Sequence, residues 1–149
     1  MAWHLETDRG LPPEDNTARL IAEHPAHEAA IRAWWDRWDE MFAGAIPETE
    51  AAMEALALRG VPQYGLTNMW RGTWPLVQSM SPAFRHFRDT VVSADEKLIK
   101  PDPAIYAVAL DRTGLAAEDL LFVDDSARNI EAAAALGFHV HHFQDPAAL

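Results

Sequence analysis

The sequence predicts an α/β fold, in which a mostly parallel β-sheet is flanked by helices. In the second half of the chain, short apolar runs alternate with helical segments, and this order is typical of such sheets. In the first half, apolar residues recur at helical spacing instead. The 149 residues, of which 49% are hydrophobic, fit one domain with a small appendage. We therefore divide the chain into a helical segment, residues 1–50, and an α/β core, residues 51–149.

Three helices are predicted in the first half. Asp15 and Asn16 are cap-type residues that open the first of them. The second covers residues 25–44, where tryptophans recur at helical spacing. This stripe indicates core packing, although one or two of the tryptophans could instead line the mouth of a pocket. Pro47 begins the third helix and Gly60 ends it.

Four strands are predicted in the second half, and we expect them to form one sheet. A helical stretch around residues 72–87 follows the first strand. Later helices have Pro103 in a first turn and an Ala-rich run after Ser126. The predicted strands cover residues 61–68, 89–94, 120–125 and 138–143.

Composition excludes several classes of protein. The net charge of −11 and the pI near 4.9 leave no basic patch for nucleic acid. The absence of cysteine excludes disulfides and thiolate zinc sites. No apolar run reaches the roughly 18 residues of a membrane helix, and the N-terminus lacks the pattern of a signal peptide. We expect a cytoplasmic protein.

Two adjacent carboxylates, Asp124 and Asp125, follow the third predicted strand. Their mutual repulsion makes burial costly unless a cation or hydrogen bonds compensate. Hard oxygen ligands at a strand end suit Mg²⁺, and Asn129, about one helical turn later, could reach back to the same site. The alternative is a helix N-terminus that favours acids, with Ser126 as its cap.

Other polar groups are expected at the same edge, because parallel sheets bind ligands beyond the carboxyl ends of their strands. Thr67 and the turn at Asn68 offer a hydroxyl and backbone N–H groups to an anion. Lys100, held before Pro101, offers a cation that could neutralise a phosphate. Taken singly, Thr67 could be an ordinary strand end and Lys100 an exposed lysine.

The histidines around the last strand are predicted to be surface or half-buried residues. His139 and His141 share one face of the strand, and His142 faces the other way. A metal site would need a third ligand of fixed geometry, and the sequence offers none.

Three stretches in order resemble motifs II, III and IV of the haloacid dehalogenase (HAD) superfamily. They are "YGLTN", "VVSADEKLIKPDPAIY" and "LFVDDSARNIEAAAALGFH", and the resemblance covers roughly residues 50–145. It implies a Rossmann-like parallel sheet with flanking helices. It also implies that the segment before residue 50 is part of a small helical cap that covers the site.

The resemblance implies a role for each candidate residue. Thr67 would bind the transferred phosphoryl group, helped by the turn at Asn68, and Lys100 would balance the charge of nucleophile and phosphate. Asp125 would hold Mg²⁺, with Asp124 beside it in a supporting place. Asn129 stands where many relatives carry a further acid. The substrate would be a small phosphorylated metabolite.

The aspartate pair resembles the Mg²⁺-dependent phosphatases of this superfamily more than its metal-free dehalogenases. Motif I, a strand ending in Asp-x-Asp whose first Asp is the nucleophile, has no counterpart in this sequence. We therefore expect weak Mg²⁺ binding and no phosphatase activity from the chain by itself. The alternatives are a non-catalytic binding or interaction protein and a 2-haloacid dehalogenase-like hydrolase.

In the family, the motif I strand lies between the strands predicted at 120–125 and 61–68. Its absence would expose two apolar strand edges. We expect these two strands either to pair directly or to receive a strand from a second copy or another polypeptide. Exposed edges also make a homo-oligomer possible.

Overall fold

The structure, a computed structural model, describes residues 3–146. Parallel strands and helices alternate in its second half, which confirms the predicted α/β class. The helices are α1 (His4–Asp8), α2 (Pro13–Glu23), α3 (Glu28–Asp36), α4 (Pro47–Leu58), α5 (Trp74–Met80), α6 (Ser93–Glu96), α7 (Pro103–Thr113) and α8 (Ala127–Ala135). The strands are β1 (Gln63–Thr67), β2 (Phe87–Val92), β3 (Leu121–Asp124) and β4 (His139–His142).

Start and stop signals in the sequence place α4 and α7 correctly. Each begins with a proline in its first turn, Pro47 and Pro103. The Asp102 side chain accepts a hydrogen bond of 2.9 Å from the Ala104 N–H and so caps α7. The helix ends at Gly114, whose φ of +66° is readily adopted only by a residue without a Cβ.

The N-terminal helices depart from the prediction. The Trp-rich stretch is not one helix, because α3 ends at Asp36 and a separate 3₁₀ turn covers Trp38–Met41. Helix α2 begins at Pro13, ahead of the expected caps, and α1 was not predicted. The Trp34 and Trp35 rings pack against Trp3 at 5.9 and 6.2 Å and are half-buried. The predicted core packing is therefore observed for these two tryptophans of residues 25–44.

The strands form two sheets, so the prediction of one continuous sheet is wrong. β1 pairs in parallel with β2, and β3 pairs in parallel with β4. No ladder joins β1 to β3 within residues 3–146, and the expected direct pairing of these two strands does not occur.

Helices hold the two strand pairs in place. A buried cluster joins α7 and α8 to the strands, and Ile105 and Tyr106 at its centre are fully buried. At the start of β1, the Gln63 side chain donates a hydrogen bond of 2.8 Å to the Met53 carbonyl of α4. Leu66 of β1 and Phe122 of β3 both pack against this cluster, so one core supports the two strand pairs.

A cavity of about 770 Å³ lies between the facing edges of β1 and β3. Its walls include Gln63 to Leu66 on one side and Leu121 to Asp124 on the other. Inter-strand hydrogen bonding requires strands about 4.8 Å apart, and no such ladder crosses this cavity in the described residues.

Ser93 connects the N-terminal segment to the sheets. Its hydroxyl donates a hydrogen bond of 2.7 Å to the Asp8 carbonyl of α1 and accepts one of 2.9 Å from the Met69 N–H. The short helix α6 starts here, so β2 ends at Val92 and lies two residues earlier than predicted.

The division of the chain at residue 50 stays a prediction. Helix α4 spans Pro47–Leu58, so a boundary at residue 50 would fall inside a helix. Among residues 3–146, none of the helices combines the length and the apolar composition needed to cross a membrane.

Candidate active site

Lys100 and Asp124 form an ion pair at the carboxyl ends of β1 and β3. The Lys100 ammonium donates hydrogen bonds of 2.7 Å to Asp124 Oδ2 and 2.8 Å to the Leu66 carbonyl. The two side chains are only 11% and 6% exposed. The predicted convergence of these residues at one edge is confirmed, and Lys100 is not the exposed lysine of the alternative interpretation.

The Asp124 carboxylate is fully engaged. Its Oδ1 accepts hydrogen bonds of 2.9 Å from the Ser126 N–H and from Asn129 Nδ2, so Asn129 reaches back as predicted. Burial by itself would raise the pKa of the Asp124 carboxyl, but Lys100 and these donors outweigh burial and hold that pKa below its usual value. The Ser126 hydroxyl makes no cap hydrogen bond, contrary to the alternative in which it caps α8.

Asn68 holds the backbone of Lys100. Its Oδ1 accepts a hydrogen bond of 2.8 Å from the Lys100 N–H, and its Nδ2 donates one of 3.0 Å to the Lys100 carbonyl. These two bonds occupy the side-chain amide, so the Asn68 side chain positions the lysine. Its predicted contribution to ligand binding would therefore come from the backbone of the turn.

Thr67 ends β1 between two residues that both bond to Lys100. It is half-buried, and its hydroxyl has no hydrogen-bond partner within residues 3–146. A free hydroxyl is able to donate to an anionic oxygen. Its role in binding phosphate stays a prediction.

Asp125 differs from its neighbour because its carboxylate is exposed and has no partner in the described part of the chain. Only its backbone carbonyl is engaged, by His142 Nε2 at 3.0 Å. Residues 3–146 contain no group of three or more His, Cys, Asp or Glu side chains placed to hold a metal ion. Since Asp124 is held by Lys100, the donor set fits Mg²⁺ only in part, with Asp125 as its single free carboxylate.

Tyr106 supports the site from the core, and sequence reasoning missed it. Its hydroxyl donates a hydrogen bond of 3.0 Å to the Asn129 carbonyl, which steadies the residue that bonds to Asp124. Burial, with a smaller effect of the Asp124 charge, raises the pKa of Tyr106 to about 12. The helical spacing of α7 marks Tyr106 as a core residue, but no sequence signal indicates the partner of its hydroxyl.

The histidines lie as predicted. His139 is exposed, and His141 and His142 are half-buried.

The carboxyl of Asp124 should make stability depend on pH in acid. Because its pKa in the folded protein lies below the usual value of 3.8, the ionised form stabilises the fold above that pH. This stabilisation is lost as pH falls through the lowered pKa. We expect the difference in unfolding free energy between the wild type and Asp124→Asn to be constant above about pH 5 and to shrink below pH 4.

Urea unfolding of both proteins across this range measures the difference. Comparing the two variants also cancels the contribution of Asp8, whose pKa is raised by burial and partly lowered by His4. If the difference in unfolding free energy does not change between pH 5 and pH 3, the pKa of the Asp124 carboxyl is not lowered in the folded protein.

Comparison with known proteins identifies the family. A family model described as haloacid dehalogenase-like hydrolase matches residues 6–137. The chain therefore belongs to the haloacid dehalogenase-like hydrolases, as the three motifs predicted.

Curated relatives include both a phosphatase and dehalogenases. Phosphoglycolate phosphatase of Yersinia pseudotuberculosis is 33% identical over 125 residues, which are 83% of this chain and 52% of the relative. (S)-2-haloacid dehalogenase 2 of Pseudomonas sp. is 34% identical over 96 residues, 62% of this chain and 41% of the relative. The chain thus spans about half or less of the length of these relatives.

Solved structures share the fold. A HAD family enzyme from Bacteroides thetaiotaomicron, solved as a magnesium complex, has a TM-score of 0.74 at 20% identity, covering 94% of this chain and 73% of that one. A dehalogenase with an intermediate complex has a TM-score of 0.66 at 25% identity. The match covers 86% of this chain and 56% of that one.

Proposed function

We propose that this chain carries the charge-balancing and phosphate-facing part of a Mg²⁺-dependent phosphatase of small phosphorylated metabolites. The observation that carries this proposal is the buried Lys100–Asp124 pair with the free carboxylate of Asp125 beside it. The phosphoglycolate phosphatase relative and the magnesium and phosphate complexes of the Bacteroides enzyme are consistent with it.

Each residue contributes a distinct group. Two of the three donors of Lys100 are engaged by Leu66 and Asp124, which leaves one for an anionic oxygen. The free hydroxyl of Thr67 adds a second donor. Mg²⁺, when bound at Asp125, would neutralise charge on the phosphate.

The chain by itself should not turn over substrate. Phosphoryl transfer in this family needs a carboxylate nucleophile. Of the strands in residues 3–146, only β3 ends at a carboxylate, and that carboxylate, Asp124, is held by Lys100. The site therefore has groups to bind and orient a phosphate but no group to attack it.

Binding and turnover can be tested separately. We expect ³¹P NMR to show weak binding of inorganic phosphate that requires Mg²⁺ and is lost in Asp125→Asn. The matched control is Asp111→Asn, which removes an exposed carboxylate on α7 and should leave binding unchanged. Hydrolysis of para-nitrophenyl phosphate should stay more than tenfold below the enzyme median of about 10 s⁻¹.

The outcomes distinguish the candidate functions. Turnover within tenfold of that median would show that a nucleophile is present. Phosphate binding that neither requires Mg²⁺ nor changes in Asp125→Asn would instead support a non-catalytic binding protein. The similarity to (S)-2-haloacid dehalogenases favours 2-haloacids as the second candidate ligands. Metal-independent binding of a 2-haloacid, with no binding of phosphate, would support that function.

A further inference from the structure

The turn that follows β1 is held from two sides. On one side, the Asn68 side-chain amide bonds to the N–H and to the carbonyl of Lys100. On the other side, the Met69 N–H donates a hydrogen bond of 2.9 Å to the Ser93 hydroxyl, and the Met69 carbonyl accepts one of 3.4 Å from the Ala94 N–H. The position of the Lys100 backbone is therefore linked, through Asn68 and Met69, to the start of α6.

The Ser93 hydroxyl is where these contacts meet α1. Ser93 is fully buried, so bulk water cannot replace its hydrogen-bond partners. A hydroxyl has one proton to donate, and two carbonyl oxygens are within reach, that of Asp8 at 2.7 Å and that of Met69 at 3.4 Å. The shorter distance assigns the proton to Asp8. Ser93 thus joins the Asp8 carbonyl to the Met69 N–H while α1 is docked.

Gly10 lets the chain after α1 approach α6 closely. Its φ is +98°, which glycine adopts readily. A Cβ at this position would lie 2.8 Å from the Ala94 carbonyl oxygen, well inside the separation of about 3.5–4.0 Å that suits non-bonded atoms. A side chain at position 10 would therefore push α1 away from α6 and weaken the hydrogen bond between Ser93 and Asp8.

We propose that Ser93 is a positioning residue for Lys100: the docking of α1 fixes the Ser93 hydroxyl, and this hydroxyl holds the turn that clamps the Lys100 backbone. When α1 is displaced, the acceptor left for the Ser93 proton is the more distant Met69 carbonyl. The turn then shifts toward Ser93 and loosens the contacts between Asn68 and Lys100. Only the consequence for phosphate binding rests on the proposed function.

Hydrogen exchange of the Lys100 amide measures the positioning directly. This N–H donates to Asn68 Oδ1, so it exchanges when that contact opens. In the full chain, Ser93→Ala and Gly10→Ala should each speed its exchange about tenfold, as expected for the loss of one hydrogen bond. The N–H of Ala133, a fully buried residue of α8, should change by less than about twofold, because the opening is local.

Gly44→Ala is the matched control for Gly10→Ala. Gly44 has a φ of +102°, so alanine brings similar backbone strain there, but its Cβ would meet no atom within 4 Å. Exchange of the Lys100 amide should therefore be the same in Gly44→Ala as in the wild type.

The double variant Gly10→Ala, Ser93→Ala tests whether the two residues act through one link. If they do, Lys100 should exchange no faster than in the stronger single variant. Two independent losses would instead multiply to about a hundredfold.

Phosphate binding tests the consequence for the site. Ser93→Ala and Gly10→Ala should each weaken the binding of inorganic phosphate in the presence of Mg²⁺ about fivefold, the share of one hydrogen bond. Gly44→Ala should leave it unchanged. If the wild type binds no phosphate, the proposed function fails, whereas the exchange of Lys100 still decides the role of Ser93.

Three results would overturn the proposal. In the first, Gly10→Ala leaves the exchange of Lys100 unchanged, so the docking of α1 does not reach the site. In the second, Lys100 and Ala133 speed up equally, which indicates general destabilisation. In the third, the double variant shows the full product of the two single effects.

Discussion

Replacing Lys100 by Met should lower the free energy of unfolding by about 3–5 kcal/mol, because the Asp124 charge would stay buried without its cation. Met keeps most of the apolar stem, so the loss reports mainly on the ion pair. The pair is only 11% and 6% exposed, which limits compensation by water. Urea unfolding measures the change through the midpoint, with an unchanged slope.

Lys97 provides the matched control, since it and Lys100 are the chain's only lysines. Lys97 is exposed, and Lys97→Met should stay within about 0.5 kcal/mol of the wild type. The double variant Lys100→Met, Asp124→Asn should recover part of the loss, because the remaining side chain is neutral. Equal stability of the two single lysine variants would refute a buried ion pair.

Replacing Tyr106 by Ala should destabilise the protein by a similar amount, about 3–5 kcal/mol, through the cavity left in the core. Tyr106 is fully buried, and its ring contacts Phe122 and Phe138 at centroid distances of 5.5 and 6.0 Å. These contacts link α7 to β3 and to the residue before β4. The loss should therefore loosen the β3–β4 pair, which hydrogen exchange can monitor.

Tyr106→Phe isolates the hydroxyl. It keeps the ring and removes the hydrogen bond to the Asn129 carbonyl, for an expected cost of about 1 kcal/mol. The control is Tyr64→Phe, since Tyr64 is the only other tyrosine of the chain. Its hydroxyl has no partner in residues 3–146, so its removal should cost little. A Tyr106→Ala loss no larger than that of Tyr106→Phe would show that the ring is not part of the core.

Local signals in the sequence were sufficient to place several elements. Pro103 and Gly114 mark the ends of α7, and the apolar run before Asp124 marks β3. The convergence of Lys100 and Asp124 also followed from the sequence, because carboxyl ends of parallel strands gather at one edge. These signals depend on neighbouring residues or on a general rule of sheet topology.

The incorrect predictions concern contacts between distant segments. Helical periodicity continued through residues 25–44, but it did not show that α3 ends at Asp36. The end of β2 was misplaced because Ser93 is drawn into bonds with Asp8 and Met69. The single sheet was predicted from the alternation of strands and helices, whereas the strands form two separate pairs, β1 with β2 and β3 with β4. Local patterns contain no information about any of these contacts.

The hydrogen bond from Ser93 to Asp8 also has a consequence for the order of folding. It joins residues 85 positions apart, whereas the Lys100–Asp124 pair joins residues 24 apart. Closing the longer loop costs about 1 kcal/mol more in chain entropy. The contacts among β1, β2, α7 and β3 are the more local ones, so they are favoured to form before α1 docks. The segment that comes first in the chain is thus the one whose docking carries the largest entropic cost.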